Sequence, residues 1–433
     1  MFALVPILAQ ATTTVAVGDR TEVRARFDRY IGTAEAVTTP YGSVTTANTR
    51  QSLMLRYSPF LTLTNVNGTQ DRTLLVLHSA QLIGQLRLRR TTLRFLQAGD
   101  YGTRNFVVDA FGDRGIANTP TGVPAAPTPP GTGVPGGNGT TGNGTTGNGT
   151  TGNGTTGNGN INRPTVAALP ATVRYADSIT QVNIDQALSR RSRTGAYLRY
   201  MVAGGLDESS RDVYPIIHTP SLGGYYTYEI SPRSLVSSTA QGSYSISSTD
   251  IRTYTADALA GYRYRFTKNF SLGMSLGVGY ARTTYADGAV LEYVYLTAGA
   301  GAGLGFNVEY RTKLYGGILT LYARAGYAPT LDQVAAVLDQ RVTWAVGATW
   351  VRKRLAFYAG VGSSISLHLD QGGGLDAFNA ALGGSYVLGG GFVVDAGARG
   401  VWQAYQGQTT IPPTAIVFAA LSWGGSTSLG GRR

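Results

Sequence analysis

Gly273-Met274-Ser275-Leu276-Gly277 has the spacing of a nucleophile elbow, where a serine on a strand-to-helix turn attacks an acyl carbon. That chemistry needs a histidine and an acid beside the hydroxyl. The chain has 3 histidines, His78, His218 and His368, each far from the others. The pentapeptide sits inside an alternating stretch, with Met274 and Leu276 on its apolar side, so no catalytic residue is assigned. No histidine pair has metal-ligand spacing and cysteine is absent, so neither a metal site nor a cofactor is expected. Gly142 to Gly147 spells G-x-G-x-x-G, but it lies inside a repeat with no strand before it and no helix after it.

The charged residues are more informative, because they recur on alternate positions. Arg24, Arg26, Arg56, Arg87, Arg94, Arg174, Arg199, Arg263, Arg265, Arg324, Arg341 and Arg399 all fall on the polar side of such stretches. Asp28, Asp100, Asp257, Asp376 and Asp395 accompany them. Inside a pore, an excess of arginine favours anions. An alternative reading is that these charges pair across the wall and brace it. Tyr197, Tyr225, Tyr322 and Tyr358 fall on the same side and offer stacking surfaces for sugar rings.

The elements that carry these residues read as strands. In LLVLHSAQLIGQLRLRRTTLRF, Val76, His78, Ala80, Leu82, Gly84, Leu86 and Leu88 alternate with Ser79, Gln81, Ile83, Gln85 and Arg87. A period of two places successive side chains on opposite faces. TGAYLRYMV, ADALAGYRYRF, LTLYARAGY and GFVVDAGARGVW repeat the pattern. Composition agrees: charged residues are 14%, hydrophobics 42%, with 59 Gly and 26 Tyr. The charged share is well below the ~25% of soluble domains. No apolar run reaches the ~18 residues of a transmembrane helix. Strands often exceed a dozen residues, no helix interrupts them, and aromatics gather toward strand ends. These features favour a membrane barrel over a soluble sandwich.

Strands are expected near 20–31, 36–47, 51–63, 72–88, 91–106, 172–188, 194–205, 220–230, 235–247, 253–266, 270–285, 289–310, 314–328, 338–351, 354–369, 375–388, 391–405 and 413–423. The fold class is therefore all-β, a transmembrane antiparallel up-and-down barrel of about 18 strands. The second strand is weak, which leaves 16 as the alternative. A wall of that size encloses water. Short connectors such as RRT, SRRSR, TKN and VRKR alternate with longer ones, and the short basic set is expected to face the periplasm.

Residues 1–11 read as a signal peptide whose start lies upstream, and 12–102 as the first barrel strands. Residues 103–170 read as a long extracellular loop, 171–423 as the remaining strands, and 424–433 as a C-terminal tail. Within the loop, NGTTG occurs four times from Asn138, a flexible uncharged spacer. The net charge of +12 raises nucleic acid as a partner. The basic residues are scattered singly and not gathered into one stripe, so nucleic acid is excluded.

LLVLHSAQLIGQLRLRRTTL and VRYADSITQVNIDQALSRRSRTGAYLRYMVAGGL resemble Gram-negative outer-membrane β-barrel proteins. More distantly, they look like the polysaccharide-export barrels that work with short periplasmic export lipoproteins. The resemblance implies a bacterial outer-membrane location and passage of a polysaccharide or other hydrophilic solute through the lumen. Implied partners are outer-membrane lipid and lipopolysaccharide, the barrel-assembly machinery and a periplasmic polysaccharide-export protein. A structural or adhesive surface barrel without transport remains the alternative, and a barrel enzyme a more remote one.

Overall fold

The structure is a computed structural model that describes residues 12–27, 32–65, 72–105, 172–213, 215–298, 306–331, 338–366, 375–405 and 411–429. The expected signal peptide, most of the long loop with its NGTTG repeats, His368 and Asp28 lie outside the described residues.

Strands β1 (Thr12–Phe27), β2 (Gly32–Thr38 with Tyr41–Ala47), β3 (Gln51–Tyr57 with Phe60–Asn65), β4 (Arg72–Arg87) and β5 (Thr91–Asn105) form the first third of the wall. β6 (Thr172–Ala187), β7 (Ser192–Gly205), β8 (Ile217–Ser231), β9 (Ser234–Ser247), β10 (Arg252–Arg265) and β11 (Phe270–Thr284) follow. The rest are β12 (Val290–Ala298 with Phe306–Leu314), β13 (Gly317–Leu331), β14 (Leu338–Arg352), β15 (Leu355–Ser366), β16 (Leu375–Gly389), β17 (Phe392–Tyr405) and β18 (Ile411–Leu429). Each strand pairs antiparallel with the next, and β18 pairs with β1 from Thr13↔Leu429 to Phe27↔Ala415. The sheet is thus a closed barrel of 18 strands with no free edge.

Three expectations are corrected. The first strand begins at Thr12, not 20, and the last runs to Leu429, so 424–429 is wall and not tail. GGSTSL has the composition of a loop, but ring closure gives each of its residues a partner between Thr13 and Gly18. A short helix, α1 (Glu208–Val213), interrupts the β7–β8 connection. Asp207 caps it, accepting from the Ser210 amide at 2.8 Å.

Proline explains the two divided strands of the first hairpins. Gly42 pairs with Tyr57 and Thr38 with Leu61, so Pro40 falls opposite Pro59. The neighbours Thr39 and Ser58 bond outward to Arg20 and Ser79, so the prolines occupy a rung where each would donate to the other. Neither has an N–H, and the rung is lost.

Alternation then sorts the side chains. One face carries Leu198, Leu222, Leu276, Leu296 and Leu382, exposed by between 57 and 72%. Two aromatic bands bound this apolar zone. Phe266, Tyr310, Phe357, Tyr386, Phe392 and Trp423 lie near the short turns, and Tyr57, Tyr101, Tyr200, Tyr244, Tyr254 and Trp402 lie farther up their strands. On β17 the bands are represented by Phe392 and Trp402. Their separation in sequence matches the ~9–11 residues a tilted strand needs to cross a bilayer. This face is the lipid face, and the opposite one lines the interior.

Candidate functional site: the inner wall and its two mouths

Glycine and tyrosine, both abundant, meet on the inner face. Tyr197 on β7 lies directly across from Gly223 on β8, and a Cβ at that glycine would come within 2.6 Å of the ring. Tyr225↔Gly195, Tyr295↔Gly279, Tyr322↔Gly347, Tyr358↔Gly383, Tyr41↔Gly18 and Phe418↔Gly397 repeat the arrangement. Each ring lies down on the neighbouring strand because the missing side chain leaves a seat. The rings therefore hug the wall, and Tyr322 reaches over Gly347 as far as Gly360.

Charge networks fill the spaces between these seats. Arg20 pairs with Asp395 at 2.6 Å and with Glu22 at 3.1 Å, and Arg24 pairs with Glu22 at 2.5 Å. The Arg399 guanidinium stands 4.9 Å from the Phe418 ring centroid, and Arg56 stands 4.8 Å from that of Tyr41. On the other side of the barrel, Tyr197 donates to Gln241 at 2.9 Å and Gln241 donates to Asp257 at 3.0 Å. Tyr225 donates to Asp185, which also lies 3.9 Å from Arg94.

Within the body of the wall, the inward arginines are Arg20, Arg24, Arg56, Arg94, Arg199, Arg263 and Arg399. The inward carboxylates are Glu22, Glu35, Asp100, Asp177, Asp185, Asp257 and Asp395. The two sets are equal among the described side chains, where the sequence suggests an arginine excess.

The remaining sequence candidates are placed differently. Arg87 and Arg265 sit at the short-turn ends of β4 and β10, both exposed. Arg174 pairs with Thr103 near the far end of β6, on the face that carries Val182 and Ile184 rather than the inner one. The side chains of Arg26, Arg324, Arg341 and Asp376 lie outside the described residues. Sequence reasoning missed Glu22, Glu35, Asp177 and Asp185, although their parity with neighbouring arginines signals them. The ring seats had no sequence signal, since they depend on register between strands.

The elbow-like serine, Ser275, is 4% exposed in mid-strand, between outward Met274 and Leu276. His78 and His218 lie on the outer face, each with Nδ1 hydrogen-bonded to a tyrosine hydroxyl, from Tyr57 at 2.6 Å and Tyr200 at 2.7 Å. They belong to the upper aromatic band.

The two mouths differ. Eight short turns close one end, and six of them carry exposed Arg or Lys. Arg50, Arg233 and Lys268 stand singly, while Arg89 with Arg90, Arg190 with Arg191, and Lys353 with Arg354 stand in pairs. No acidic residue occurs in these eight turns. At the other end, the described connectors carry Asp207, Glu208, Asp212, Asp250 and Asp287 with exposed Arg211.

A closed wall, apolar outside, polar within and ringed by two aromatic bands, defines an integral β-barrel of the bacterial outer membrane. No family model matches the chain, and no curated protein matches it. Among solved structures it is similar to the outer membrane protein OpdK of Pseudomonas aeruginosa, with 9% identity over 96% of this chain and 99% of that one, at a TM-score of 0.46. It is also similar to OpdO of that organism, with 10% identity over 96% of this chain and 98% of that one, at 0.46. OccAB3 of Acinetobacter baumannii shows 7% identity over 96% of this chain and 99% of that one, at 0.44.

Proposed function

We propose that the barrel is an aqueous channel for hydrophilic solutes, with a polysaccharide chain as its cargo, and not an enzyme. The observation that carries this reading is the inner wall itself. Its aromatic rings are pressed flat against glycine, so they narrow the bore little. Tyr295 and Phe418 are buried, and Tyr197, Tyr225, Tyr322 and Tyr358, all half-buried, offer ring surface to whatever passes. Sugar rings stack on such faces, and a wall of 18 strands is wide enough for water beside them. Balanced inward charges leave the passage polar without a dominant sign, so an extended glycan meets hydrogen-bonding groups along its length but no deep trap. Conduction needs this balance between entry and release. On this reading the short turns face the periplasm, where an export lipoprotein would deliver the polymer, and the outer face is solvated by lipid and lipopolysaccharide after assembly by the barrel machinery.

Planar-bilayer recording tests the channel. We expect stable conductance that malto-oligosaccharides or dextrans interrupt in a length-dependent way. A barrel with no current under any polarity rules out the conduit and leaves a structural or adhesive surface protein. Loss of surface polysaccharide on deletion of the gene tests the cargo, and an unchanged coat points to another solute.

A further inference from the structure

We propose that the short-turn rim is a capture surface for a polyanionic chain arriving from the periplasm, a linear glycan bearing carboxylate, phosphate or sulfate groups. This rests on the reading of the barrel as a conduit, and it names the chemical class of the cargo.

The charge distribution points there. Nine exposed cations occupy the tips of the short turns, while the whole chain carries a net +12. Three quarters of the excess positive charge thus sits at one mouth. The described body of the inner wall is balanced, and the described connectors at the other mouth hold five acidic residues against Arg211. Among the described residues, an anion is therefore concentrated more strongly at the short-turn end.

Two features choose the occupant. Cations on the strands just inside the turns, Arg87, Arg193, Arg265, Arg311 and Lys313, fall on the inward parity, against one described carboxylate at that level, Glu229. They carry the positive surface from the tips into the bore, toward a passing chain and away from surrounding phospholipid. The cations are also spread over six turns around the rim. A single exposed ion pair contributes almost nothing to affinity. A ligand with many charges on one backbone engages several turns at once and gains by effective concentration. A small anion cannot.

The test uses the full chain in nanodiscs of zwitterionic lipid, with fluorescent polygalacturonate as probe and neutral dextran of equal length as control. We expect polygalacturonate binding that weakens at least tenfold in the variant R89Q/R90Q/R190Q/R191Q/K353Q/R354Q, and dextran binding that does not change. Heat-modifiable gel migration confirms that the variant is folded, and a variant confined to K353Q/R354Q gives a smaller loss in the same direction. Equal binding of both polymers overturns the proposal, and so does unaltered binding by the six-site variant. Loss of polygalacturonate binding when the disc lipid is phosphatidylglycerol assigns the rim to anionic headgroups and also overturns it. Absence of current in a bilayer with polygalacturonate binding intact removes the conduit and leaves the capture surface standing.

Discussion

The two rims of this barrel differ in the length and charge of their connectors. At the short-turn rim the chain reverses within a few residues, using backbone that only some residues adopt. Tyr315 and Gly316 have φ of 48° and 73°, Lys353 has 50°, and Gly390 and Gly391 have 61° and 84°. Such turns suit the twist of antiparallel strands, and one of them carries Lys353 and Arg354. The other rim has long connectors, a six-residue helix and side-chain caps. Both rims share these devices, since Asp250 and Gly288 have φ of 56° and 83° in the longer connectors and Asn48, Ser189 and Ser231 cap the short turns. What separates the rims is connector length and charge, with carboxylate caps found on one side only among the described residues.

The strongest way to break this comparison is to treat both rims alike. A side chain at Gly391 would be strained at its φ and would collide with the Gly424 carbonyl across the β17–β18 pair. We expect Gly391→Val to cost about 1–3 kcal/mol, the range for strained backbone and for overpacking. Deleting residues 138–157, four NGTTG repeats, shortens a connector at the other rim. Loop-closure entropy changes slowly with length, so that deletion is expected to shift stability by under ~1 kcal/mol. Unfolding followed by the loss of heat-modifiable migration checks both. Equal effects would show that the rims do not differ in this way.

A second experiment sharpens the contrast by moving into the wall. Restoring the missing rung with Pro40→Ala and Pro59→Ala supplies two N–H donors between β2 and β3. At about 1 kcal/mol for a hydrogen bond, less the unfolded-state entropy that proline removes, a gain of roughly 1 kcal/mol is expected. Urea midpoints for the single and double variants test this. The double variant should exceed the sum of the singles, because each proline faces the other.

Much of this architecture is legible in the sequence, for reasons tied to the period of two. Met274 and Leu276 alternate with Ser275 because lipid and lumen demand opposite chemistry, so parity alone sorts them. The number of strands follows from the turns. Register is not legible: nothing in the sequence shows that Tyr322 will face Gly347 or Arg20 will face Asp395, since those partners lie on different strands. The seats of the inner wall and its cross-strand ion pairs are products of register, and so is the strand character of Gly424 to Leu429. Arg20–Glu22 and Arg24–Glu22, by contrast, are two residues apart on one strand. Arg174 shows the limit of parity, because the expected phase places it inside and pairing with Thr103 places it outside. The rim cations were plain in the sequence. Their dominance over the net charge emerged only when the inward charges proved balanced.

The smallest expected effect concerns pH at the long-connector rim. The Ser210 hydroxyl and amide and the Ser209 hydroxyl bond to the Asp207 carboxylate, which holds its pKa below the usual carboxylate value. A carboxyl depressed by folding contributes order that is present above its unfolded pKa and is lost as pH falls through the lower, folded one. Acid below the usual carboxylate range should therefore loosen α1 while the short turns keep their structure, since they rely on no titrating cap. Amide exchange at Ser210 measures this, with Asp207→Asn as the control. Asparagine keeps the acceptor without the charge, so its cap should hold at neutral pH and show no acid transition. An acid transition that survives in Asp207→Asn would locate the titrating group elsewhere and separate the rims for a different reason.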